Sequence, residues 1–498
     1  MHSYQHIVVG GGISGMTSAL LLAKQGYKTA LVEKFPGLGP TVRGFSRKGV
    51  HFETGVHLLG GLGHNHPLDV YFRHLEISDE LQKIEFEKSG YDCFRFERND
   101  REIRMPAGYE NLRETLCMEF PEESGAIGKY LSKIRSVFES SPYLNFNLDF
   151  SIEDAIHAET ETLNEFLNSI TSNRELKDLL CYQCMLYGTP PAEAMLSTHA
   201  LVAGSYAMSC HTVEGGGSAI VRAYRSKLEK YGVEIITGRA VERITADRER
   251  RFTGIVLADG TELSGESCVW CAHPASMIEC APEDAFRPVF RKRIVCLEET
   301  PSAMIIFGTA DAPLPELTRR NIYLWPEKDY SLILKGLEKP EDNAIFISAG
   351  QTTKTGQAQP ITAISPCSFN LFEKWKDSTR KNRPADYLEL KKKLTAELVK
   401  TVFERCPELR GRVKFTDSAT PLTLKDYCGS PYGSMYGAAH TASQYNPLPA
   451  TRMSGLFLAG QSIIAPGVLG AVVSAYLACG LICGHDKIHE ELRCIYNG

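Results

Sequence analysis

The stretch from His6 to Glu33 constrains this chain more than any other. Ile7 to Gly10 carry the tail of a buried apolar strand, which runs directly into Gly10-Gly11-Gly12-Ile13-Ser14-Gly15. A helix-like segment, Met16 to Gln25, follows, and then a second apolar strand, Thr29 to Val32, that ends on Glu33. The spacing is G-x-G-x-x-G with an acid about twenty residues further on. In such a unit Gly10 permits the tight turn, Gly12 lets the backbone approach a pyrophosphate, and Gly15 lets the helix pack close to the strand. The helix N-terminus faces the phosphate charge, and Glu33 is placed to accept hydrogen bonds from a ribose. The pattern reads as a dinucleotide-binding unit. The alternative is a glycine turn with a structural role only.

A chain of 498 residues, 43% hydrophobic, has room for a large core and two domains. Its net charge of -5 and the lack of a sustained basic stripe argue against a nucleic-acid surface. Lys391, Lys392 and Lys393 are flanked by Glu389 and Glu397, and read as a solvated helix face rather than an anionic-lipid contact. The 15 cysteines are scattered. Cys181 and Cys184 have C-x-x-C spacing without a second pair, and Cys210-His211 lacks a spaced ligand set, so no metal is expected. Reduced thiols suggest a cytoplasmic protein, and the early position of the first strand leaves no expected signal peptide. The apolar run Val468 to Cys483 is interrupted by Gly470, Ser474 and Gly480, so no membrane span is expected.

After Glu33 the chain is rich in glycine through Gly39, Gly44, Gly49, Phe52-Glu53-Thr54-Gly55, Val56-His57 and Gly60-Gly61, as backbone closely following a ligand would be. His57 reads equally as a pocket residue or as a hydrogen-bonded core histidine. Leu68 to Ile77 is helical in pattern, and Phe86 to Arg98 suits strands. Glu110 to Glu119, Ala126 to Phe138 and Glu161 to Leu180 suggest a helical cap. The greasy segment Cys181 to Met208 suits an apolar tunnel wall or plain core. Glu214-Gly215-Gly216-Gly217-Ser218 precedes a helix over Ala219 to Tyr231 and a strand over Val233 to Thr237. Val241 to Ala246, Phe252 to Leu257 and Cys268 to Ala272 follow as strands, with Asp259-Gly260 as a hairpin turn. Further strands are expected at Ser302 to Gly308, Asn321 to Trp325, Ser331 to Lys335 and Ala344 to Ala349, and helices at Glu373 to Trp375 and Tyr387 to Phe403. Last come the strand Gly455 to Gly460, Gln461, the segment Pro466 to Ala471 and a helix over Val472 to Cys483. Two domains are therefore interleaved: 1–75, 210–285 and 416–498 form the dinucleotide domain, and 76–209 with 286–415 form the other.

Val8 to Gly15 with Glu33, Gly49-x-x-Phe52-Glu53-Thr54-Gly55-Val56-His57, Glu214 to Ser218 and Gly455 to Ala471 together resemble the flavoprotein superfamily that includes the amine oxidases. They look most like its branch of phytoene desaturases, carotenoid isomerases and retinol saturases. Glu53 stands where that family has Asp, and the cap regions carry little of the likeness. The resemblance implies a discontinuous Rossmann-like FAD-binding α/β domain with an inserted substrate domain of mixed sheet and helices. It implies FAD held by Gly10, Gly12, Ile13, Ser14, Gly15, Glu33, Lys34, Gly55, Val241, Gly460, Gln461, Gly467, Val468, Leu469, Gly470 and Ala471.

The expected activity is desaturation, saturation or cis-trans isomerisation of a carbon–carbon double bond in a hydrophobic, carotenoid- or retinoid-like isoprenoid. Such chemistry depends on positioning and water exclusion more than on acid–base groups. With no second G-x-G-x-x-G element, a separate electron donor or acceptor is expected, and peripheral membrane contact suits the substrate class. Candidate pocket residues are His57, Tyr206, His211, Tyr432 and Tyr436, each of which also reads as an ordinary structural side chain. Two other functions fit the same scaffold: oxidation of a soluble amine or amino acid, and non-catalytic escort of prenylated partners.

Overall fold

The computed structural model describes residues 2–99, 101–151, 160–335, 337–351 and 358–498. Residues 152–159, in the region expected to be helical, lie outside the described residues.

Five short strands build the dinucleotide sheet, in the order Glu234–Thr237, Thr29–Glu33, His6–Val9, Ser267–Trp270, Leu456–Leu458. All four pairings are parallel. A parallel sheet is covered on both faces, so its strands read as continuous apolar runs. The alternation within them sorts the two layers. Val8, Leu31 and Val269 point towards the helices Ile13–Lys24, Gly216–Lys230 and Gly467–Cys483. Their neighbours Ile7, Val9, Ala30, Val32, Cys268 and Trp270 point towards the antiparallel strands Val241–Ala246, Phe252–Leu257 and Glu262–Ser264.

The second sheet has seven strands, ordered Val413–Ala419, Ser302–Ala310, Gln359–Cys367, Ile345–Ala349, Asn321–Trp325, Asp92–Phe96, Glu102–Met105. It is mixed, since Asp92–Phe96 runs parallel to Asn321–Trp325 and the other neighbours are antiparallel. Phe94 and Phe96 pack inward against Trp325, while Arg95 between them bonds Glu102 and Glu408. The chain leaves this sheet after Ala419, not at residue 415. Leu59–Gly60, Cys210–Val213 and Lys83–Glu85 form a separate small sheet of three strands.

Three sequence expectations change locally. The single helix over Glu161 to Leu180 is two, Leu163–Ile170 and Arg174–Cys181. Thr171 ends the first in an extended conformation, and the Asn173 side chain caps the second by accepting from Leu176 N–H. Ser331 to Lys335 is not a strand. Asp329 accepts from the Ser331 N–H and closes a single helical turn at Tyr330–Leu332. The helix expected over Val472 to Cys483 starts five residues earlier, at Gly467, directly after Pro466 at its N-cap, and a further helix, His485–Asn497, follows it.

Candidate active site

At the first turn Gly10 has φ of +105°, which a side chain would strain. A Cβ on Gly15 would fall 1.7 Å from the Gly10 carbonyl oxygen, so strand and helix meet there with no room for one. Gly12 is different: a Cβ there would meet nothing within 4 Å. Its freedom from contact lies on the side of a cavity. Glu33 is buried and already occupied in part, accepting from Gly11 N–H and, at 2.8 Å, from Phe35 N–H. Its carboxylate fixes the glycine turn as well as facing the cavity, a structural role that the sequence did not reveal.

The other end of the chain closes on the same place. Gly460, at the end of strand Leu456–Leu458 and its exit, approaches Ser14, with a Cβ position 3.5 Å from Ser14 Oγ. The next residue, Gln461, is held by its carbonyl, which accepts at 2.7 Å from His440 Nε2. Asn446 Nδ2 lies 3.2 Å from Nδ1 of the same ring, which fixes the Nε2–H tautomer. Gly467 to Ala471 then present the first turn of a helix, whose leading N–H groups have no partner within the helix.

Glu53 and the Glu214 to Ser218 motif also meet. Glu53 Oε2 accepts from Gly217 N–H at 3.0 Å, and a Cβ on Gly216 would collide with its carboxylate. The longer Glu side chain thus serves as a clamp between two segments that are far apart in sequence.

One cavity of about 1500 Å³ runs through these elements. Its walls include Gly10, Gly12, Ile13, Ser14, Glu33, Lys34, Gly55, Val241, Gly460, Gln461, Gly467, Val468, Leu469, Gly470 and Ala471. Gly15 is absent from the wall because it faces Gly10. Beyond Leu469, Gly61 links the closing helix to helix Leu196–Met208, lying 3.9 Å from both Leu469 and Ser205 by its Cβ position. There the walls become apolar and aromatic: Met185, Leu186, Leu201, Val202, Tyr206, Tyr323, Phe346, Ile364 and Tyr436.

Of the five candidate side chains, the structure brings His57, Tyr206 and Tyr436 to this chamber and leaves two elsewhere. His211 pairs with Leu59 and Glu85 in the small sheet, where it is buried. Tyr432 is 56% exposed and packs edge-on against Phe369. Both sit in segments whose composition resembles pocket lining, but strand pairing and a turn at φ of +55° direct them away.

His57 Nδ1 lies 2.9 Å from Ser348 Oγ, its ring contacts Phe346, and burial pushes its pKa down to about 4. The imidazole is therefore neutral near pH 7. Tyr206 donates to the Leu58 carbonyl at 3.4 Å, and Tyr436 to the Met185 carbonyl at 3.1 Å. Tyr323 was missed from the sequence. It is fully buried, and its hydroxyl has no hydrogen-bond partner among the described residues. Burial raises the pKa of all three phenols, so each keeps its proton. Behind them Asp92, wholly buried, accepts from Asn321 Nδ2 at 2.8 Å and Tyr182 OH at 2.9 Å, and burial lifts its carboxyl to about 7.

A family model described as "Flavin containing amine oxidoreductase" matches residues 13–483. The chain belongs to the flavin-containing amine oxidoreductase family. Among curated proteins it is 25% identical to the all-trans-retinol 13,14-reductase of Danio rerio, over 97% of this chain and 86% of that one. It is 23% identical to a 4,4'-diapolycopene oxygenase of Methylomonas sp, over 98% of each. An oxidoreductase structure from Methanosarcina mazei shares the fold, with a TM-score of 0.66 and 17% identity over 95% of this chain and 98% of that one.

Membership makes the protein an FAD-dependent redox enzyme of this family. The residues present fit such a cofactor: two helix N-termini and an open Gly12 line one elongated cavity. The volume exceeds the roughly 300–1,000 Å³ of a single small-molecule site, so the cavity accommodates a dinucleotide and a second molecule. Among the described residues no helix is long and apolar enough to cross a membrane.

Proposed function

We propose that this flavoprotein acts on carbon–carbon bonds of a hydrophobic, isoprenoid-type substrate, by desaturation, saturation or isomerisation. The observation that carries the proposal is the chamber beyond Leu469, whose walls are aliphatic and aromatic side chains with protonated hydroxyls and a neutral imidazole. The cavity's carboxylates are on other elements and engaged or exposed. Glu33 holds the glycine turn, Asp417 pairs with Arg47, Asp426 pairs with Arg383, and Glu279 is exposed on helix Pro274–Cys280. A protonated amine would find no carboxylate among the chamber side chains named above. The named activities of the retinol reductase and the diapolycopene oxygenase support the same substrate class.

The cradle from Gly10 to Gly15 would receive the pyrophosphate of FAD, Glu33 and Val241 the adenosine side, and Gly467 to Ala471 the flavin end. Bound flavin supplies the hydride chemistry. The chain's own part is to exclude water from an apolar substrate and to hold protons at defined atoms. Tyr206 and Tyr436 are tied to backbone carbonyls and shape the wall. Tyr323 has the free hydroxyl, and is the group we assign to hold a proton at the substrate carbon.

The test is anaerobic. Flavin-loaded protein is reduced, then mixed with a panel of polyenes and, oxidised, with a panel of amines, while flavin absorbance and product spectra are followed. Reoxidation by a polyene, or its isomerisation without net oxidation, is the expected result. Bleaching by amines with no response to polyenes would overturn the proposal in favour of amine oxidation. Tyr323→Phe is expected to slow a saturating or isomerising step without reducing flavin content.

A further inference from the structure

The cavity has a further stretch of wall, chemically unlike the chamber. Eight lysine and arginine side chains and only four carboxylates line the cavity as a whole, in a chain of net charge -5. Four of the cations come from the strand that ends on Arg47 and from the stretch 380–391, which Asp417 links by pairing with Arg47 and facing Lys391. Arg47 ends the strand Phe45–Arg47, Arg380 and Lys381 precede helix Ala385–Arg405, and Lys391 lies on that helix.

Their counter-charges are few. Asp417 is ion-paired with Arg47 and is also the carboxylate that acts on Lys391. Asp426 is taken by Arg383 at 2.6 Å. Arg380 lies over the Tyr427 ring, 5.0 Å from its centre, and neither it, Lys381 nor Lys391 has an ion pair among the described residues. Lys391 is half-buried, and burial lowers its pKa, with Arg47 adding to the effect against the pull of Asp417. The basic run expected to be a solvated face is therefore split. Lys391 turns to the cavity, whereas Lys393 pairs with Glu397 at 3.9 Å on the outside.

Arg47, Arg380 and Lys381 are exposed and Lys391 is half-buried; like charges along one wall repel one another, and an anion placed among them relieves that repulsion. We propose that Arg47, Arg380, Lys381 and Lys391 form a recognition site for a phosphate-bearing group, separate from the dinucleotide cradle. A phosphate or diphosphate suits it better than a carboxylate. Three cations lack ion-pair partners, and a multiply charged group offers several acceptor oxygens to guanidinium and ammonium donors at once. The group can arrive on a soluble phosphate ester or as a phospholipid headgroup. Leu388 and Tyr427, 54% and 40% exposed on the same walls, would contact the attached chain in either case.

The experiment uses flavin-loaded protein, so that the dinucleotide cradle is already filled. Inorganic pyrophosphate is titrated in by calorimetry at low salt, and co-sedimentation is measured with phosphatidylcholine vesicles with and without phosphatidic acid. Lys391→Glu and the milder Lys391→Gln are compared with Lys392→Glu, which makes the same charge change on the same helix outside the cavity wall. Flavin absorbance and melting confirm that each variant is folded. Binding of either probe by the wild type is expected, weakened at least about tenfold by Lys391→Glu, as for loss of one charge-assisted hydrogen bond, and little changed by Lys392→Glu. Pyrophosphate binding alone identifies a soluble source, and vesicle binding alone a lipid one. The proposal fails if the wild type binds neither probe, or if the two charge reversals weaken binding equally.

Discussion

The two ends of the cavity solve the problem of holding a molecule in opposite ways. At the glycine-rich end the backbone is the binding surface, and what matters is where side chains are missing. In the chamber the side chains are the surface, and what matters is which polar atoms are left partnered, protonated or free. The first kind of site tolerates almost no added volume but needs little electrostatic tuning. The second depends on burial to set its charge states, as with neutral His57 and the raised carboxyl of Asp92. Binding and chemistry in one cavity are therefore sensitive to different classes of substitution.

The sharpest way to break this contrast is at Gly15. Gly15→Ala places a methyl group against the Gly10 carbonyl, and we expect about 3 kcal/mol of lost stability, the upper range for overpacking, together with loss of flavin. Chemical denaturation and the flavin-to-protein absorbance ratio measure both. A Gly15→Ala variant as stable as the wild type would mean that the helix does not pack as closely as described.

Asp92 tests the chamber side. Its folded pKa is raised above the ordinary carboxylate value, so between pH about 4 and about 7 the folded state binds the proton that the unfolded state has lost. Its contribution is fully present below that window and declines as pH rises through it, by up to about 1.4 kcal/mol per pH unit. His57 changes stability in the opposite sense, since its folded pKa is lowered and its contribution is lost as pH falls from about 6.5 towards about 4. The difference between wild type and Asp92→Asn isolates the carboxyl. Denaturation midpoints across pH 4 to 7 should show the variant gaining on the wild type as pH rises. Parallel curves would show that Asp92 ionises normally.

Gly12→Ala sharpens the glycine-rich half. The added methyl meets no protein atom within 4 Å, so the apoprotein should melt as the wild type does, while flavin affinity falls roughly tenfold. Unchanged affinity by flavin titration would move the cofactor away from Gly12. The smallest effect is expected at Tyr436→Phe, which removes the bond to the Met185 carbonyl. It should cost about 1 kcal/mol in denaturation and leave flavin content unaltered.

How much of this was legible in the sequence follows from the range of the forces involved. The strand, turn and helix of residues 6 to 33 were legible because a tight turn and a close helix contact demand glycine at set spacings. The strands of the mixed sheet were legible where alternation was strong, as at Phe94 and Phe96, and misread at Ser331 to Lys335, where one aspartate bond outweighed an apolar run. His211 and Tyr432 had the right chemistry in the wrong orientation. Tyr323, His440 and Asp92 gave no local signal, since nothing in a short window shows that a hydroxyl is unpartnered or a carboxyl dry.

By itself, then, the sequence determined that this chain would fold around a dinucleotide cradle, because backbone geometry is dictated by residues a few positions apart. Only the tertiary structure decided which side chains face the cavity and in what charge state. Asp92 meets Asn321 across 229 residues, and Arg47 meets Asp417 across 370. Burial and pairing are set by such distant partners, and the same lysine run can turn one residue inward and the next to solvent.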